Sequence, residues 1–177
     1  MNQYQLTVDL LTVSTDHSQQ NVAYERMKYW IYEVMDQSIL ISQHSDVLES
    51  AIKLNDRVIA LPSEPVDQII GIMLYLKLNA VMENRMVVTD VEICSSQGDY
   101  TSYLHSTREN LGSDLVEDGW WSDPRPVWVT QKSRDQGKVV SLDRGPDWKN
   151  HGLDWDELED QEKDSVVFAN FKKDETE

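Results

Sequence analysis

The stretch PVDQIIGIMLYLKLNAVMENRMVVTDVEIC, residues 65–94, decides the fold, because its hydrophobic period changes once along its length. Over residues 66–83 the apolar side chains Ile69, Ile70, Ile72, Met73, Leu74, Leu76, Leu78 and Val81 surround most of a helical circumference. That is the pattern of a helix buried on nearly all sides, at the centre of a core. Its start is marked by Ser63 or Glu64 as a cap, by Pro65 near the first helical position, where a missing N–H costs nothing, and by Asp67 at the positive helix end. Residues 86–94 then alternate, with Val88, Asp90 and Glu92 predicted on one face and Val87, Thr89, Val91 and Ile93 on the other. The apolar run 69–82 contains Lys77 and Asn79 and falls short of the ~20 residues that span a bilayer, so a core helix is expected and no membrane contact.

Upstream, Tyr4, Leu6, Val8 and Leu10 alternate with polar residues as a half-buried strand does. Asp16 and Ser18 offer N-caps to NVAYERMKYWIYEVMDQS, residues 21–38, where Val22, Met27, Trp30, Ile31 and Val34 share one helical face. Residues 39–41 read as a strand or as the last turn of that helix, residues 46–54 as a shorter helix, and RVIAL at 57–61, ended by Pro62, as a buried strand. The expected class is α+β: a small sheet covered by two main helices, with a loop-rich, Trp-containing acidic C-terminal extension.

Downstream the composition changes near Gln97, beyond which lie six of the seven glycines and five of the six tryptophans, with Pro124, Pro126 and Pro146. This punctuation predicts a loop-rich region with short strands and aromatic plugs rather than long helices. The expected organisation is a core domain over 1–96, a Gly/Pro/Trp-rich region packed on it over 97–152, and an acidic tail over 153–177.

The chain carries 32 acidic and 16 basic residues, a net charge of −16. This charge repels nucleic-acid backbones and anionic membranes over ~8 Å or more, and suits a partner with a basic surface. Cys94 is the single cysteine, so no internal disulfide forms, as suits a reducing compartment or one indifferent to redox. The start, MNQYQLTVDLL, has no basic segment followed by a long apolar one, and a cytoplasmic protein is expected.

Sequence chemistry gives little purchase. His17, His44, His105 and His151 are too scattered for a short metal motif, although Asp99, His105 and Glu109 could converge on one ion. The acidic run Asp154, Asp156, Glu157, Glu159 and Asp160 lacks the central glycine and the spacing of a calcium loop. No G-x-S-x-G elbow, G-x-G-x-x-G or P-loop occurs. No catalytic residue, metal set or cofactor is therefore assigned. The candidate partner-binding residues are that acidic run, Trp120 and Trp121 within EDGWWSDPRPVWV, and Phe168 and Phe171 in the terminal SVVFANF. The tryptophans either pin a loop to the core or form a hot spot, and the phenylalanines suit an apolar groove.

The stretches PVDQIIGIMLYLKLNAVMENR, DGWW and DWKNHGLDWDEL resemble those of small acidic accessory proteins of tailed bacteriophages. The resemblance implies a context, an infected bacterial cytoplasm, and assigns no residue a role. The expected function is a noncatalytic protein-binding accessory or regulatory factor, a phage modulator or inhibitor of host or phage nucleic-acid machinery. The alternatives are an acidic nucleic-acid mimic that inhibits a DNA-binding enzyme, a metal-dependent enzyme and a virion component.

Overall fold

In the computed structural model, residues 2–55, 57–98, 102–106, 119–126 and 147–155 are described. The chain is α+β. In order, the elements are β1 (Tyr4–Thr12), α1 (His17–Tyr29), a π-helical continuation (Trp30–Met35), β2 (Ile39–Ser42), α2 (Leu48–Leu54), β3 (Val58–Leu61), α3 (Asp67–Met82), β4 (Met86–Ser95) and β5 (Ser102–Ser106). Short 3-10 turns follow at Trp120–Ser122 and Trp148–His151. Among the described residues no helix is long and apolar enough to cross a membrane.

The strands form two sheets. One is antiparallel, in the order β1-β4-β5, and the other is a parallel pair of β2 and β3, which α2 connects. Helix α3 lies on the larger sheet, and α1 packs beside it. Ile70, Met73, Leu74, Leu78, Val81 and Met82 are fully enclosed, as the apolar circumference of α3 requires. Gly71 is needed for close approach: a Cβ there would stand 2.9 Å from the ring of Tyr103 on β5.

Local rules hold at the start of α1 and give way at the start of α3 and in the register of β4. Asp16 is the N-cap of α1 and accepts 2.8 Å bonds from the backbone N–H and the hydroxyl of Ser18. The start of α3 differs from the expectation of a Ser63 or Glu64 cap. Val66 occupies the cap position without a side-chain bond, while Asp67 accepts from the Ser95 N–H at 3.2 Å and ties the helix to the end of β4. Glu64 precedes a proline, which disfavours the helical region and delays the helix.

The alternation expected in β4 also fails at one point. Asp9 pairs with Asp90 but Leu10 pairs with Val88, leaving Thr89 as the extra residue of a β-bulge. The bulge resets the phase, so Val88, Val91 and Ile93 all point into the core, where strict alternation would have separated Val88 from the other two. Strand β5 is a short strand inside the region expected to be loop-rich with short strands. Its five residues are too short to register as a periodic segment.

Candidate functional site

The sheet face turned away from α3 is acidic, and its rows are set by the regular register that precedes the bulge. Register places Thr7, Glu92 and Leu104 in one cross-strand row and Asp9, Asp90 and Ser106 in the next, with Leu11 opposite Val87 beyond. Glu92, Asp9, Leu11 and Leu104 are exposed, the two leucines at 57% and 54%, and Asp90 is half-buried. Two carboxylates directly opposite one another destabilise a sheet, so Asp9 and Asp90 break a local rule that the rest of β1 and β4 obeys. None of Asp9, Asp90 and Glu92 makes an ion pair among the described residues. Burial, reinforced by the charge of Asp90, raises the Tyr75 phenol above its ordinary value. The face is acidic and edged by two exposed leucines.

The tryptophan segment is placed differently. Trp121 is buried, and Trp120 is half-buried, stacked on Trp30 at 6.1 Å with its indole N–H donating to the Ala60 carbonyl at 3.0 Å. Neither ring is exposed. Gly119 makes this packing possible, since a Cβ there would lie 2.4 Å from the Trp121 ring.

Beneath this segment sits Lys77, a fully buried residue of α3. Its Nζ donates to three backbone carbonyls, those of Trp120 (3.3 Å), Asp123 (2.6 Å) and Arg125 (2.8 Å). Desolvation pushes the amine down to about 7; Asp123 opposes the shift and Arg125 adds to it. Burial acts to raise Asp123, but hydrogen bonds from Arg125 and the charges of Arg125 and Lys77 outweigh it and hold the carboxyl below its ordinary value.

Residues 147–155 are held by a second buried cation, Arg26 of α1. Its Nε donates to the Leu153 carbonyl at 2.8 Å, its Nη1 donates to Glu83 at 2.7 Å, and its guanidinium stacks 3.6 Å from the Trp155 ring centre and 5.0 Å from that of Trp148. Arg85 covers Trp155 as well, at 4.3 Å. Burial lowers Arg26 below its ordinary value, and Glu83 and Asp154 work against that. Glu83 ends α3 in left-handed backbone, φ 46°, where glycine is usual; its carboxylate serves Arg26 and Arg85 in exchange for that strain. The two segments also join each other, as the Trp148 indole N–H donates to the Pro124 carbonyl at 2.6 Å.

Of the remaining sequence candidates, Asp154 is half-buried and accepts from the Trp155 N–H at 2.8 Å. Asp156, Glu157, Glu159, Asp160, Phe168 and Phe171 lie outside the described residues. His105 is buried on β5 and packs edge-on against Tyr75 at 4.6 Å, while Asp99 and Glu109 lie outside the described residues. Among the described residues no group of three or more His, Cys, Asp or Glu could hold a metal ion. A shallow cleft of about 550 Å³ lies at the carboxyl ends of β2 and β3, lined by Ser42, Gln43, His44, Pro62, Ser63 and Glu64.

Sequence reading passed over Asp9, Asp90 and Glu92 as strand residues, and Lys77 and Arg26 as helix residues. A lone cation inside IIGIMLYLKL was the available signal for Lys77. No protein-family model matches the chain, and no curated protein matches it in sequence.

Proposed function

We propose that this protein is a noncatalytic accessory or regulatory factor that binds a protein partner with a Lys/Arg-rich surface through the outer face of its β1-β4-β5 sheet. The observation that carries the reading is the pairing of Asp9 with Asp90 beside Glu92 on that face, next to exposed Leu11 and Leu104. A like-charge pair that costs the free protein stability is relieved when a cationic surface covers it, so the strain is returned as binding energy. The net charge of −16 adds long-range steering toward such a surface. The resemblance to phage accessory proteins directs the search for the partner to host or phage nucleic-acid machinery in the bacterial cytoplasm, whose proteins are rich in basic grooves.

The test is affinity capture from bacterial lysate, followed by association kinetics of the purified partner with the wild-type chain and with the triple variant D9N/D90N/E92Q. Wild type should associate faster at low salt, by tenfold or more, and the variant should lose most of that salt dependence. Equal rates and equal salt slopes for the two proteins would remove the sheet face from the interface. Competition by duplex DNA for the same partner site would convert the reading to nucleic-acid mimicry.

A further inference from the structure

We propose that Lys77 makes the docking of residues 119–126 onto the core sensitive to pH, holding the segment more tightly as the solution becomes alkaline. All three acceptors of the Lys77 Nζ come from this one segment, and the side chain has no exposure. Every hydrogen bond of the amine is therefore made or lost together with the docking of the segment. Lifting the segment returns Nζ to water, and docking it strips that water away.

The charge inside the cage is poorly compensated. Three carbonyl dipoles match the three N–H groups of an ammonium, but among the described residues no carboxylate oxygen is bonded to Nζ. The charges facing it, Asp123 and Arg125, are of opposite sign and are bonded to each other at 2.6 Å. From the other elements packed on α3, Arg26 of α1 is engaged by Glu83, His105 of β5 packs on Tyr75, and Asp90 and Glu92 of β4 lie on the opposite sheet face. Burying an ammonium in such surroundings is far more costly than burying a neutral amine.

The direction of the effect follows from proton linkage. In the lifted segment Lys77 regains the ordinary lysine value of 10.5, whereas docking brings it to about 7. Between those limits the lifted form binds more protons, so docking releases a proton and is favoured as pH rises, by up to tenfold per pH unit. Below about 7 both forms hold the proton and the dependence ends.

Two measurements on the full chain test this. The first is a direct NMR titration of the Lys77 side-chain carbons in the wild type, assigned by through-bond correlation to the Lys77 backbone amide. A midpoint within about one unit of 7 is expected, and a midpoint above 10 would overturn the proposal. The second is acrylamide quenching of tryptophan fluorescence from pH 6.5 to 9.5. In the wild type the accessible fraction should fall with pH above 7, and in Lys77→Met it should stay flat. Parallel curves for the two proteins would also overturn it, and should Lys77→Met fail to fold, the wild-type titration decides alone.

Discussion

The two late segments, 119–126 and 147–155, are both fixed to the core by a buried cation, yet the cations are compensated in different ways. Among the described residues Arg26 has a carboxylate at 2.7 Å, a carbonyl at 2.8 Å and two tryptophan faces, whereas Lys77 has three carbonyls and no carboxylate bond. A guanidinium keeps its charge throughout the range where proteins fold and spreads it over a plane that suits both the fork of bonds and the stacking. An ammonium is a compact, strongly hydrated charge that gives up its proton when desolvated. The same task of pinning an aromatic segment is thus done once by a permanent charge and once by a titratable one.

The largest expected effect breaks the permanent clamp. Arg26→Met leaves Glu83 half-buried without its closest partner and orphans the Leu153 carbonyl, and should lower stability by ~3–5 kcal/mol in denaturant unfolding. Arg26→Lys should recover only part of this, since a lysine cannot bond Leu153 and Glu83 while stacking between Trp148 and Trp155. Full recovery would show that charge alone matters there.

Breaking the titratable clamp should have a smaller effect near neutrality. Lys77→Met orphans three carbonyls but also removes a buried charge, so the two effects offset and a net loss of about 2 kcal/mol is expected at pH 7. The loss should be larger at pH 9, where wild type no longer carries the charge. Gly119→Ala sharpens the contrast by attacking the same segment without touching Lys77. A Cβ 2.4 Å from the Trp121 ring forces that ring to move, and a loss of ~1–3 kcal/mol should appear with increased tryptophan quenching. The smallest effect has the opposite sign: Asp9→Asn removes the charge opposite Asp90 and should stabilise by roughly 0.2–1 kcal/mol at low salt, a gain that vanishes in high salt.

How much of this could be read in the sequence follows from how local each feature is. Strand β1, helix α1 and most of β4 follow periods of two or 3.6 that neighbouring residues alone reveal, and α3 announces its burial by apolar residues around most of its circumference. The bulge at Thr89 is invisible because it depends on the partner strand, and it is the bulge that gathers Val88 with Val91 and Ile93. The clamps are less local still. Lys77 meets carbonyls 43 to 48 residues downstream, and Arg26 meets one 127 residues away, so no window of sequence contains both halves of either. The acidic face arises in the same way, from the register that sets Asp9 against Asp90 and Glu92 beside Leu104.

The most direct test of the contrast between the clamps is the free energy of unfolding against pH, from 6.5 to about 9.5, for the wild type, Lys77→Met and Arg26→Met. The folded-state value of Lys77, about 7, lies below its unfolded value of 10.5, so the unfolded chain binds more protons within that window and stability rises with pH. Wild type and Arg26→Met should therefore both gain on the order of 2–3 kcal/mol between pH 7 and about 9.5, while Lys77→Met stays level. Curves that run parallel for all three proteins would show that Lys77 keeps its proton throughout, and that the two clamps are alike.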